Sequence, residues 1–345
     1  MSVTTATMAG GDPVAVLGAG SWGTALAVQL ARAGNTVRLW GRDAAGVEAM
    51  HEARVNARYL PSAPFPATLS AEPDLDRALD GALTVLAVVP SHAFRATLER
   101  LREHAEAVGP RFGLAWATKG LELASGELPH RVARATLPDV ERLAVLSGPT
   151  FATEVGAALP TAMTVAASEP DFADELAARL SSETFRVYTS DDMIGVEVGG
   201  AVKNALAIAA GLSDGLGYGA NARVALIVRG LREMTRFGLA LGARESTFSG
   251  LAAMGDLVLT CTDDQSRNRR MGLALAAGHG LERAAADIGQ VVEGVQAAQA
   301  VHEQAVRLGV DMPIVEQVHR IVHEGVDPRE AVRVLMGRAS GPEHL

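Results

Sequence analysis

From residue 13 to about residue 189, short, largely apolar runs alternate with longer stretches in which apolar and polar positions mix. The runs are VAVLG (14–18), TVRLW (36–40), ALTVLAVV (82–89), FGLAWAT (112–118), LAVLSG (143–148), TAMTVAA (161–167) and FRVYT (185–189). They are short, rich in β-branched residues and too uniformly apolar for strands with one wet face, which suits a parallel sheet covered on both sides. Between them, residues 22–33, 92–104 and 170–180 read as crossover helices. Alternating β and α units predict an α/β fold with a doubly wound sheet.

Beyond about Asp191 the pattern changes. Apolar residues recur at helical spacing, as at Val224, Ile227, Leu231 and Met234, and strand-like runs nearly vanish. Residues 257–259 tempt a strand, but Gly255-Asp256 before them reads better as a turn or a helix start. Gly211, Gly242, Gly278 and Gly309 are expected to punctuate the helices. The division predicted is a loose tail at 1–11, a sheet domain at 12–190 and an all-α domain at 191–340, with 341–345 a frayed end.

Within the helical part, residues 196–211 (VEVGGAVKNALAIAAG) put one charge where none is expected. Small and apolar residues on every side of Lys203 imply burial on every side, and lysine is almost never fully buried without a partner or a task. In a helix its side chain leans back over Gly199 and Gly200. Each glycine weakens the helix by roughly 1 kcal/mol relative to alanine, and the pair leaves a notch expected to face a ligand and not a neighbouring helix. The plainer alternative is a lysine that snorkels to solvent beside a tight helix crossing.

Composition narrows the classes. A chain of 345 residues is long enough for two domains, and 48% hydrophobic with 21% charged residues describes a globular protein. A net charge of −9 argues against a general nucleic-acid or acidic-membrane binder. The one cysteine, Cys261, excludes an internal disulfide and fits a reducing cytoplasm. The first residues lack the pattern of a secretory signal, and no apolar run approaches the ~18 residues of a membrane span.

Gly18-Ala19-Gly20-Ser21-Trp22-Gly23 fits G-x-G-x-x-G and sits between a predicted strand and a predicted helix, the context that turns a weak motif into a Rossmann-type dinucleotide site. Gly18 would permit the tight turn, Gly20 the approach of a pyrophosphate, and Gly23 the packing of helix on strand. After the second strand the residue that reads the adenosine ribose is Arg42, not an acid, since Asp43 lies further on. A guanidinium can bind a 2′-phosphate as a fork, so NADPH is favoured with NADH left open; a solvated loop charge is the alternative.

Three further stretches are odd for a plain core. Residues 117–122 (ATKGLE) and 147–152 (SGPTFA) place Lys119, Gly148 and Thr150 at the C-terminal ends of strands, where open α/β sheets bind ligands. Residues 255–260 (GDLVLT) lead to Ser266-Arg267-Asn268-Arg269-Arg270. A helix starting at Ser266 would put positive residues against its own dipole, a cost that a bound anion reverses. A solvated basic face is the bland reading. None of the nine histidines lies in these motifs, and His319 with His323, spaced i, i+4, lack a third metal ligand, so surface histidines and no metal are expected.

Taken together, GAGSWGTALA, WATKGLE, SGPTFATEV, VEVGGAVKNALAIAAG, GDLVLTCTDDQSRNRR and GQVVEGV resemble the bacterial NAD(P)-dependent glycerol-3-phosphate dehydrogenases over about residues 14–338. The resemblance implies reversible reduction of dihydroxyacetone phosphate to sn-glycerol 3-phosphate for phospholipid synthesis, in a cytoplasmic homodimer. It implies that Lys203 transfers the proton and that Lys119, Gly148, Thr150, Asp256, Ser266, Arg267 and Asn268 hold substrate. Ser21, Trp22, Arg42, Lys119, Ala152, Arg267, Val291 and Glu293 would meet the cofactor. Burial would lower the Lys203 pKa, Lys119 would lower it further, and Asp256 would oppose this and orient the lysine or a substrate hydroxyl. A 3-hydroxyacid or 6-phosphogluconate type dehydrogenase, or a dinucleotide-sensing or scaffolding protein, are the competing readings.

Overall fold

The computed structural model describes residues 11–289 and 291–338. The expected tail, except Gly11, the frayed end and Gln290 of the GQVVEGV stretch lie outside the described residues. Two compact units emerge. The first takes the described residues up to Lys119 together with Glu127–Glu197, and the second takes Gly120–Gly126 and the described residues from Val198 onward.

In the first unit the strands are β1 (Val14–Leu17), β2 (Val37–Trp40), β3 (Val55–Asn56), β4 (Leu60–Pro64), β5 (Leu69–Glu72), β6 (Thr84–Ala87), β7 (Gly113–Trp116), β8 (Arg142–Ser147), β9 (Thr161–Ala167) and β10 (Phe185–Ser190). Its helices are α1 (Ser21–Arg32), α2 (Ala44–Ala53), α3 (Leu75–Leu79), α4 (Ser91–Glu99), α5 (Arg102–Val108), α6 (Pro129–Thr136), α7 (Ala152–Gly156) and α8 (Pro170–Leu180). Eight strands form one sheet in the order β10-β9-β8-β7-β6-β1-β2-β5, while β3 and β4 pair separately. Six neighbours in this sheet run parallel, with crossover helices covering the faces, and all seven apolar runs of the sequence become strands in it. Their side chains, with α1 and α8, build a continuous core that includes Leu26, Leu39, Leu86, Leu146 and Phe172. Burial on both faces is why the inner strands β1, β6 and β7 read as continuous apolar runs, whereas β10 at the sheet edge leaves Arg186, Tyr188 and Thr189 exposed.

Three details differ from the sequence expectation. β9 runs antiparallel to β8, and β10 follows β9, so the last two strands oppose the other six. An antiparallel neighbour needs no return crossover, and the short α7 suffices as the link. β5 escapes the pattern because LSAE is only four residues long and alternates apolar with polar positions, so it forms no continuous apolar run. The helix expected at 92–104 is two helices, α4 and α5, broken where Leu101 N–H turns back to Leu98 O.

The helices of the second unit are α9 (Met193–Gly215, whose first residues belong to the first unit), α10 (Gly219–Leu241), α11 (Asp256–Thr262), α12 (Arg267–Ala276), α13 (Leu281–Ile288), α14 (Glu293–Leu308), α15 (Pro313–Glu324) and α16 (Pro328–Met336). Residues 257–259 are helical, as Gly255-Asp256 suggests. α9 is long and apolar enough to cross a membrane by length and composition, but its apolar window is 89% buried inside the protein, which marks a core helix. Gly242 and Gly309 end helices in the left-handed conformation. Gly211 is a correction: it lies inside α9, where an ideal Cβ would come within 2.0 Å of Arg269 O on α12. The missing side chain there serves a close helix contact, not a helix end.

Candidate active site

In the first unit the glycine loop follows β1 directly. An ideal Cβ at Gly18 (φ +123) would lie 2.1 Å from Val88 O, and one at Gly23 1.8 Å from Gly18 O, so the loop's own packing demands both glycines. At Gly20 the same atom would meet nothing within 4 Å among the described residues. Gly20 caps α1 without a side-chain hydrogen bond, so no side chain claims the first N–H groups of the helix. An open backbone face at a helix N-terminus is what a dinucleotide pyrophosphate requires, and the loop fits that group. Ser21 and Trp22 occupy the first turn, with Trp22 packed against the core.

The other first-unit candidates stand at neighbouring strand ends. Arg42 is exposed just after β2, while Asp43 accepts from Gly46 N at 3.2 Å as the N-cap of α2; its carboxylate is a structural cap. Thr118 Oγ1 donates to Val89 O at 2.7 Å and ties the end of β7 to that of β6, presenting half-buried Lys119 next. Gly148 (φ +157) follows β8, Thr150 Oγ1 donates to its carbonyl at 3.3 Å, and Ala152 opens α7. β1, β6, β7 and β8 are parallel neighbours, so these loops share one edge of the sheet. The chain leaves β1 towards β2 on one side and returns through β6 on the other, the switch point where open α/β sheets bind ligands.

In the second unit Lys203 is 7% exposed and does not snorkel. Its Nζ donates to Asp256 Oδ1 at 2.5 Å and to Thr260 Oγ1 at 3.1 Å. Thr260 in turn donates its hydroxyl proton to Asp256 O at 2.6 Å, which leaves its oxygen lone pairs towards the lysine. α11 thus supplies both partners, one turn apart. At Gly199 the notch expected beside Lys203 is a correction: an ideal Cβ on Gly199 would lie 2.6 Å from Ala252 O. Gly199 therefore faces neighbouring backbone, not a ligand, because the backbones approach too closely for any side chain there.

Ser266 caps α12, its Oγ accepting from Arg269 N at 3.2 Å, and half-buried Arg267 with buried Asn268 fills the first turn. Asn268 Nδ2 donates to Asn204 Oδ1 at 2.9 Å, and Gly294 N donates to Asn268 Oδ1 at 2.9 Å. The GQVVEGV stretch joins this network through Gly294, while Val291 is exposed and half-buried Glu293 opens α14. Asn204 Nδ2 is buried and has no hydrogen-bond partner among the described residues. Lys203, Asp256, Ser266 and Asn268 are thereby gathered along α9, α11 and α12.

Sequence reasoning missed Thr260, Asn204 and Glu197. Thr260 stands four residues after Asp256, a spacing that puts both on one helix face. Asn204 is a second polar residue in the apolar run. Glu197 is a second buried charge in the same run: its carboxylate accepts from Trp116 Nε1 (3.1 Å), His130 N (2.8 Å) and His130 Nδ1 (2.5 Å). Burial pushes this carboxyl up, and the His130 contacts oppose that. Nor is His319 a surface histidine; it is half-buried, stacked on His302 with centroids 4.4 Å apart and beside His323 at 5.0 Å. No group of three or more metal-ligating side chains is assembled among the described residues.

Known proteins match along nearly the whole chain. The model of the NAD-dependent glycerol-3-phosphate dehydrogenase N-terminus matches residues 13–173, and that of the C-terminus matches residues 192–333. A glycerol-3-phosphate dehydrogenase (NAD(P)+) of Thioalkalivibrio sulfidiphilus (strain HL-EbGR7) is 56% identical over 331 residues, covering 96% of this chain and 98% of that protein. The crystal structure of glycerol-3-phosphate dehydrogenase from Coxiella burnetii is similar with a TM-score of 0.91 at 50% identity, over 95% of this chain and 99% of that one. A ketopantoate reductase of Ralstonia eutropha JMP134 shares the fold alone, with a TM-score of 0.58 at 17% identity over 93% of this chain and 98% of that one.

Proposed function

The chain belongs to the NAD-dependent glycerol-3-phosphate dehydrogenase family, and on that premise we propose that it reversibly reduces dihydroxyacetone phosphate to sn-glycerol 3-phosphate, with Lys203 as general acid and base. NADPH serves as cofactor, and NADH as well. When bound, the nicotinamide supplies the hydride that the ketone carbon accepts. Gly18, Gly20, Ser21, Trp22 and Gly23 hold the dinucleotide, and Arg42 meets its adenosine end. Lys119, Ala152, Arg267, Val291 and Glu293 complete the cofactor contacts.

The observation that carries this reading is the buried Lys203 ammonium held between the Asp256 carboxylate and the Thr260 hydroxyl. A carboxylate at that distance keeps the proton on the lysine until an oxygen acquires charge and takes it. Asp256 then orients Lys203, and in the reverse direction the amine recovers the proton. The α12 N-terminus, with Ser266 and Arg267, grips the substrate phosphate. Asn268 holds Asn204 so that its Nδ2–H points to a substrate oxygen; Lys119, Gly148 and Thr150 complete the substrate contacts, and the substrate domain, expected from about residue 191, is the second unit, whose main body starts at Val198. Gripping a dianion away from the reacting carbon fixes that carbon in place, where much of the rate can originate.

The product supplies phospholipid synthesis, in the cytoplasm. The enzyme acts as a homodimer, a reading supported by Val224 and Val228, exposed one turn apart on α10. The test is NADPH consumption with dihydroxyacetone phosphate set against hydroxyacid-type substrates. Turnover is expected only with the former, and Lys203→Ala should lower kcat/KM by about 10²–10⁴-fold, the usual yield of a general acid. Full turnover by that variant would overturn the role.

A further inference from the structure

Two glycines bring α12 onto α9 backbone to backbone. An ideal Cβ on Gly211 would lie 2.0 Å from Arg269 O, and one on Gly272 2.1 Å from Ile208 O. Further along, an ideal Cβ on Gly215 would lie 2.5 Å from Ala276 Cβ, while at the other end Asn268 reaches Asn204. The two helices therefore run in the same sense, and the N-terminus of α12 lies beside the residue that follows Lys203. Helices normally fix their register by side-chain ridges seated in grooves. A glycine face has no ridges, so close approach alone leaves α12 free to slide or turn on α9.

Arg269 supplies what the glycines lack. It is 8% exposed, its Nη1 donates to Asp214 Oδ2 at 2.5 Å near the end of α9, and its Nε donates to Asp264 Oδ1 at 2.9 Å in the loop that enters α12. Asp214 Oδ2 also accepts from Arg223 Nη1 at 2.7 Å, which fixes it to α10. A planar guanidinium spread between two carboxylates on different segments resists both sliding and rotation.

We propose that Arg269 and Asp214 are positioning residues that set the spacing between Lys203 and the phosphate grip, and so tune the enzyme to a ketone with its phosphate at one fixed distance. This rests on the reading of the α12 N-terminus as the phosphate site. Neither residue touches substrate; they act through the placement of Arg267 and of the helix end.

The test compares kcat/KM for dihydroxyacetone phosphate with that for dihydroxyacetone, the same ketone without the phosphate. Arg269→Lys keeps the charge and loses the fork; Asp214→Asn keeps the shape and loses the charge. Both should lower kcat/KM for the phosphorylated substrate about 10–100-fold, mainly through KM, since displacements near 1 Å cost that much, while dihydroxyacetone stays within about 2-fold. Asp214→Glu, which restores the ion pair, should recover part of the loss and carries the test if the other variants fail to accumulate. Parallel loss on both substrates, or none on either, overturns the proposal. Arg267→Ala separates the two readings. If it leaves the advantage of the phosphate intact, the phosphate site itself is misassigned. If it abolishes that advantage while Arg269→Lys does not, only the positioning role fails.

Discussion

Lys203 and Asp256 are 7% and 1% exposed, and each is the partner that makes burial of the other tolerable. Removing one partner of such a pair strands a charge and costs about 3–5 kcal/mol, whereas replacing both by apolar residues of similar size is often neutral. Asp256→Leu should therefore be the less stable in a comparison with Lys203→Met/Asp256→Leu, both measured by urea unfolding; equal losses would mean the pair is not energetically coupled. A second buried acid behaves differently. Glu233 on α10 accepts from Ile314 N (2.7 Å) and Val315 N (3.2 Å) in the first turn of α15, with Arg236 and Asp311 its charged neighbours. Burial raises its carboxyl from 4.5 to about 7. A carboxyl that binds its proton more tightly when folded stabilises the fold below the unfolded value and loses that contribution as pH rises through about 7. Wild type should thus lose about 3 kcal/mol against Glu233→Gln between pH 4.5 and 7, and a pH-independent gap would refute it. At this scale the sequence is informative about what is out of place and silent about partners. Lys203 stands out in an apolar run, yet neither Thr260 nor the His130 contact of Glu197 follows from spacing alone, because folding brings them from other segments.

Glycine-dependent contacts between elements account for much of what the second unit does. Gly272→Ala would drive a Cβ into the Ile208 carbonyl, and rigid backbone cannot yield cheaply. A loss of about 1–3 kcal/mol in urea unfolding is expected, together with a raised KM for dihydroxyacetone phosphate. Gly20→Ala is the contrast. Nothing among the described residues meets the added carbon, so stability should change by less than about 1 kcal/mol while KM for NADPH rises several-fold. If both variants behaved alike, the distinction between packing glycines and ligand-facing glycines would be unfounded. That distinction was only half legible. A G-x-G-x-x-G between strand and helix announces its use, but Gly199 and Gly211 looked like a ligand notch and a helix end, and proved to be seats for neighbouring backbone. The inner strands were legible because burial on both faces writes itself as nearly continuous apolar runs. The reversed direction of β9 was not, since direction leaves no mark on hydrophobicity.

For the whole molecule, a ligand that binds only the folded state adds stability by mass action, about 2.7 kcal/mol at one hundred times its Kd. NADPH should raise Tm more than NADH at equal concentration, and Arg42→Ala should erase most of that difference; an unchanged preference would remove Arg42 from cofactor selection. The change from alternating runs to helical spacing near Asp191 was visible in the pattern. What it hid is the short stretch Gly120–Gly126, which follows β7 yet belongs to the second unit. There Arg307 of α14 donates to Ser125 O at 3.2 Å, and an ideal Cβ on Gly126 would meet the same guanidinium at 2.5 Å. Synthesis on the ribosome is vectorial, so this stretch emerges while its partner is still untranslated, 182 residues away. The contact must close a very long loop and can form only near the end of folding. Substitutions at Gly126 or Arg307 should consequently speed unfolding and barely slow refolding, which makes this one contact a latch on the lifetime of the finished enzyme.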